Sequence, residues 1–207
     1  MSAPLHAGTF LIFSGMVLLI VASISAPTVS KINFLQVHTA NNASTVNFGT
    51  LGYCVANPGE NSCTPTGVGY RIADEIQAVG IDAFSRAKAV SLHGLTQGLI
   101  LHQIGAGIAA IAFLMALCSH RIGYLFASAV AFIAFLFSLA ALILDFVLFG
   151  SVRSHVRDDN GSAKFGNAIW IVLAATIVLF LASIATCFAC VTARKRRRSA
   201  STKGATY

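Results

Sequence analysis

Five cysteines, six histidines and seven carboxylates are the stock of metal-ligating, nucleophilic and acid–base groups in 207 residues. They do not gather into a constellation. No nucleophile elbow, zinc-ligand spacing, phosphate-cradling loop or dinucleotide fingerprint occurs, and no nucleophile lies at useful spacing from a base. The chain therefore reads as non-enzymatic, with no metal, no cofactor and no nucleic-acid partner expected. Two groups of residues still carry chemistry. Cys54 and Cys63 flank a short segment containing Pro58 and Gly59, and His102 and Asp145 stand alone in long uncharged stretches.

The elements that must position these groups follow from composition. The chain is 56% hydrophobic and 10% charged, with a mean hydropathy of +0.77, which excludes a water-soluble globular domain. Four apolar runs, residues 9–26, 95–118, 122–149 and 167–191, have the length of transmembrane helices, since about 20 helical residues cross a hydrocarbon core roughly 30 Å thick. They contain few polar residues and are expected to be unbroken, which gives little support to a transporter or channel. The expected architecture is an all-α, four-helix transmembrane bundle with a small, disulfide-bonded extracellular domain containing β-strands.

Charge sets the expected sidedness. In residues 27–94, Lys31, Arg71, Arg86 and Lys88 balance Glu60, Asp74, Glu75 and Asp82. In residues 150–166, Arg153, Arg157 and Lys164 are offset by Asp158, Asp159 and the adjoining Asp145. The formal net charge of +7 is then carried by Arg121, Arg194, Lys195, Arg196, Arg197, Arg198 and Lys203. Cytoplasmic segments carry the Lys and Arg excess, so residues 1–8, the turn 119–121 and the basic tail 192–207 are expected to be cytoplasmic. The sequons at Asn42 and Asn160 both fall in the outer loops, where glycosylation is permitted. Cys54 and Cys63 lie there too, in an oxidising compartment, so a disulfide between them is expected. Cys118, Cys187 and Cys190 lie at cytoplasmic membrane ends, where palmitoylation is an option. The clustered tail arginines favour anionic lipid as well as anchoring topology. The first run has a second reading, a signal peptide, because residues 22–26 are small; against it, the preceding segment has no Lys or Arg.

In residues 27–94, strands are expected at 29–38 and 45–54, with turns at the glycines and a short surface helix within 74–92. In the second run Gly98, His102, Gly105, Ala109, Ala112 and Ala116 recur at steps of 4, 3, 4, 3, 4, and Ala127, Ala131, Ala134, Ser138, Ala141 and Asp145 repeat those steps in the third. Small residues at coiled-coil period let transmembrane helices approach closely. His102 and Asp145 both lie on these faces, which makes a hydrogen bond between them, and a response to pH, one reading. The plainer alternative has Asp145 reaching the interface and His102 packing in the core or bonding backbone.

Several segments together resemble the fungal PalI family of four-span plasma-membrane proteins, related to eisosome-associated proteins and similar in architecture to claudins. The block Phe48-Gly49-Thr50-Leu51-Gly52-Tyr53-Cys54, then Cys63 and Gly69-Tyr70, is similar to that family's Gly-Tyr-Cys signature and second cysteine. Residues 99–107, 145–149 and 166–170 add to the likeness. The resemblance implies a plasma-membrane accessory to a multispan ambient-pH sensor of the Rim/Pal type. An alternative is an eisosome-type organiser of membrane domains, self-associating through its small-residue faces and affecting the cell surface or wall; a weaker one is a small transport or channel subunit. The PalI protein carries a long cytoplasmic tail, whereas about 16 residues follow the fourth run here. That difference shifts expected contacts toward the membrane and the outer loop. Trp170 is the single tryptophan, so claudin-type sealing is not expected.

Overall fold

The computed structural model describes residues 3–29, 31–38, 45–57, 60–72, 86–118, 123–158 and 161–204. Four long helical segments pack side by side, and a small antiparallel sheet covers one end. In chain order they are α1 (Ala3–Ser23), β1 (Leu35–His38), β2 (Thr45–Phe48), β3 (Tyr53–Asn57), β4 (Glu60–Cys63), α2 (Arg86–Gly98), α3 (Leu101–Cys118), α4 (Gly123–Asp158), β5 (Ser162–Phe165) and α5 (Asn167–Gly204). Three helical stretches are long and apolar enough to cross a membrane, Val90–Leu117, Phe126–Asp158 and Asn167–Phe188, while the apolar part of α1, Ala7–Ser23, is shorter.

Each of the four long helices buries one stripe at the same period. On α3 and α4 the stripes are the small-residue faces, with Ala109, Ala112, Ala127, Ala131, Ala134 and Ala141 fully buried. On α1 the buried positions are Gly8, Ile12, Gly15, Leu19 and Ala22, and on α5 they include Ala168, Val172, Ala175, Leu179, Ala182 and Thr186. The packing of α1 on α5 is therefore of large into small. A Cβ on Gly15 would stand 2.7 Å from the Leu179 side chain, and one on Gly8 would stand 2.6 Å from Thr186 Cγ2. Such heptad-spaced seams are the geometry of left-handed bundles. Because the small faces are consumed inside one chain, self-association through them is not available.

The helix containing the second run is not continuous. Residues Leu99 and Ile100 form a turn between α2 and α3, where the amides of Leu99, Ile100 and His102 bond three residues back instead of four. Helix α4 runs on to Asp158, nine residues past the end of its apolar run. Its last turns remain helical because Val152 and Val156 are buried at helix spacing under the sheet, so polarity ends the apolar run before packing ends the helix.

The sheet order is β4-β3-β2-β1-β5, and every neighbouring pair is antiparallel. The second strand expected from the sequence divides at the turn Gly49–Gly52, closed by the Gly49 amide on Gly52 O at 2.8 Å. β5 occupies the edge of β1 left free by β2, so residues far apart in sequence complete the sheet. Alternation in β1 and β2 turns Leu35, Val37, Val46 and Phe48 inward, as a two-residue side-chain period requires. They join Leu92, Leu99, Leu148, Phe149, Val152 and Ile169 in one core cluster. Sheet and bundle therefore share a core. Much of the expected helix at 74–92 lies outside the described residues; its described part belongs to α2.

Candidate functional site

The segment leading into β1 is tied to the helices by its backbone. Ala168 N donates to Asn33 O at 3.0 Å, Gly166 N to Phe34 O at 2.9 Å and Phe34 N to Phe48 O at 2.8 Å. Gly166 has no room for a side chain, since a Cβ there would overlap Asn33. The end of α1 is tied to the signature block in the same way. Thr50 N donates to Ser25 Oγ at 3.0 Å, and Thr50 Oγ1 donates to Ser23 O at 3.1 Å. A Cβ on Gly49 would overlap the backbone of Ala26, so the first glycine of the block is a close-approach position. Gly69 has φ +77°, a conformation open to glycine at little steric expense, and it delivers Tyr70 into the core. The Tyr70 hydroxyl donates to Gly49 O at 2.7 Å, and its ring stacks on Phe48 with centroids 6.5 Å apart. Burial, with the neighbouring Asp145 charge adding to it, pushes the Tyr70 phenol far above its ordinary value of 10.0.

Phe34 is the plug between sheet and bundle. Fully buried, it stacks on Phe149 at 5.5 Å and meets the His102 ring edge-on at 5.5 Å. Beneath it, His102 Nε2 lies 3.1 Å from Asp145 Oδ2 with both side chains fully buried. His102 Nδ1 lies 3.0 Å from Leu99 O, a carbonyl exposed to this contact by the turn between α2 and α3. The second carboxylate oxygen, Asp145 Oδ1, has no hydrogen-bond partner among the described residues.

This geometry constrains the protons. A carbonyl oxygen only accepts, so Nδ1 carries a hydrogen. The Nε2 to Oδ2 contact then holds one further proton, either on nitrogen as an ion pair or on oxygen as a neutral pair. Loss of that proton sets an imidazole lone pair against a carboxylate. The contact is attractive with the proton and repulsive without it, in a place where water does not intervene.

Cys54 and Cys63 are register partners on β3 and β4 and form a disulfide. In the signature block, Gly52 would place a Cβ 2.5 Å from Thr64 Oγ1, and Tyr53 packs its ring 6.0 Å from Tyr70. Cys187 is a free, exposed thiol on α5. Asn42 and Asn160 lie outside the described residues, and the side chains of Cys118, Cys190, Arg194, Lys195, Arg196, Arg197 and Arg198 are likewise not described. The backbone of that basic run continues α5 at the end of the bundle away from the sheet. Residue types and spacing brought out His102, Asp145 and the cysteines, the family-like segments took in Thr50 and Leu99 without a role, and neither singled out Phe34 or Ser25. Apolar residues and small hydroxyls outside a periodic face carry no sequence signal of a shared site.

An apolar bundle with a disulfide-stapled sheet on one end defines a multi-pass membrane protein. The chain belongs to the SUR7/PalI family, which it matches over residues 5–193. It is 33% identical over 147 residues to the pH-response regulator protein palI/RIM9 of Yarrowia lipolytica (strain CLIB 122 / E 150), covering 68% of this chain and 18% of that protein. It is 28% identical over 185 residues to the pH-response regulator protein palI/prr-5 of Neurospora crassa, covering 86% of this chain and 24% of that protein. The chain thus spans less than a quarter of the length of these relatives. Both of these relatives are named as pH-response regulators.

Proposed function

We propose that this protein is a four-span plasma-membrane accessory of an ambient-pH sensing complex, with the sheet outside and both termini cytoplasmic. The observation that carries the reading is the family match together with relatives named as pH-response regulators. The balanced charge of the sheet-side loops and the basic run at the opposite end support the orientation. Retention of α1 is supported by its seam against α5, because cleavage there would remove one wall of the bundle. The sheet, clamped at Asn33, Ser25 and Thr50, is the surface offered to a multispan partner.

In this reading the His102 to Asp145 contact is the titratable joint between that surface and the helices. Tyr70, coupled electrostatically to Asp145, stays neutral and provides packing. Loss of the shared proton in alkaline medium loosens Phe34 and the strand behind it, and the partner reads the altered surface. The test is growth, and processing of the pH-responsive transcription factor, in a deletion strain shifted to alkaline medium. Wild-type protein restores both, Asp145→Asn shifts or abolishes the pH dependence, and the double variant Cys54→Ser, Cys63→Ser fails to rescue. Normal processing in the deletion strain would overturn the reading in favour of a membrane-domain organiser.

A further inference from the structure

We propose that the sheet-side end of α4 binds the phosphate of a phospholipid headgroup through Arg153, Ser154 and Arg157, around Gly150. These residues and Asp158 line a cavity of about 290 Å³. Two guanidiniums against one carboxylate leave it positive. Below the cavity, on the same face of α4, Ile143, Phe146 and Val147 are exposed, and Gly150, Arg153, Ser154 and Arg157 continue that face at helix spacing. Val147 and Ser154 are about 10 Å apart along the axis at about 1.5 Å per residue. A headgroup layer is roughly 5–8 Å thick. Where Phe146 and Val147 face acyl chains, Arg153 therefore stands at phosphate level, and the Arg157 side chain, one turn farther on, tilts back toward it as helical side chains do.

Arg153 is held for this role. Its Nε donates to Ala163 O at 3.3 Å, and its guanidinium carbon lies 4.9 Å from the centre of the Phe165 ring. That ring in turn meets Phe146 edge-on at 6.0 Å. The ladder from Phe146 through Phe165 to Arg153 fixes the planar group at the boundary, and planar guanidinium forks match phosphate oxygens. Arg157 is exposed. Among the described residues neither arginine forms an ion pair. The two also lie at the end of the bundle away from the basic run, so they are not needed to set topology. Gly150 supplies the space, since nothing lies within 4 Å of the position a Cβ would take. A lipid phosphate is favoured over a free one because the lining residues continue the exposed apolar stripe of Ile143, Phe146 and Val147 on α4.

The test is native mass spectrometry of the full chain in detergent, titrated with dioleoylphosphatidylglycerol. The expected result is one retained lipid on the wild type. Retention is weakened about thirtyfold in Arg153→Gln, Arg157→Gln, at roughly 1 kcal/mol for each basic residue. Gly150→Leu, which keeps both charges and whose Cβ would meet nothing within 4 Å, loses the lipid by filling the space. Equal retention in the wild type and Gly150→Leu, with matching melting temperatures, would overturn the site. Displacement of the lipid by excess inorganic phosphate alone would overturn the lipid as its source.

Discussion

The two ends of the bundle are held together by different physics. Away from the sheet, α1, α3, α4 and α5 meet through Ile12, Ala112, Ala116, Ala127, Ala131 and Ala182, and the helix separation is set by methyl groups in contact. None of those six side chains titrates. Under the sheet, α3 and α4 are joined by the hydrogen bond between His102 and Asp145, roofed by Phe34 and locked to the strands through Tyr70 and Thr50. One end is a steric seam, indifferent to pH, and the other a polar joint whose attraction depends on a single proton.

The comparison can be broken at the joint first. Asp145→Ala leaves His102 buried without its partner and should lower stability by about 3–5 kcal/mol, whereas His102→Leu, Asp145→Leu should recover most of that loss. Unfolding titrations in mixed micelles measure both. Replacing Cys54 and Cys63 with serine opens a loop with a separation of nine residues and should lower stability by about 2–3 kcal/mol. Hydrogen exchange should show the loss in the sheet and not in the α1 to α5 seam. At the steric end, Ala131→Leu should overpack by about 1–3 kcal/mol, equally at every pH, whereas loosening at the joint should grow in alkaline medium.

The smallest expected effect sharpens the comparison. Tyr70→Phe removes the bond to Gly49 O, at about 1 kcal/mol. Burial holds the phenol protonated in the folded state beyond its ordinary value of 10.0. Its contribution is therefore fully present below about pH 10 and is lost as pH rises above that, because the unfolded chain releases the proton first. The Phe variant should lack that component of the alkaline decline, and melting curves across the range measure the difference.

Periodicity made the interior of α3 and α4 legible. An apolar run with small residues every three or four positions has few ways to pack, and those faces are buried. The equivalent stripes on α1 and α5 were harder to see, because Ile12, Leu19, Val172 and Leu179 are as apolar as the lipid-facing residues around them. The pairing of Leu179 with Gly15 and of Thr186 with Gly8 distinguishes inside from outside. The strands expected at 29–38 and 45–54 from β-branched residues and glycines overlap β1, β2 and the first residues of β3. β5 was not, since Ser162–Phe165 is ordinary loop sequence until β1 lends it an edge.

Composition alone determined that this chain enters a membrane as helices, since hydrocarbon leaves an uncharged backbone no other partner for its amides than itself. Sequence also determined which residues are the ionisable exceptions within those helices. The tertiary structure decided that His102 and Asp145 meet, that a turn at Leu99 supplies the histidine's second acceptor, and that Phe34 closes over them. Those three facts depend on how helices rotate against one another and where a sheet edge lands. Both are set by the sum of many weak contacts, and no local spacing encodes them.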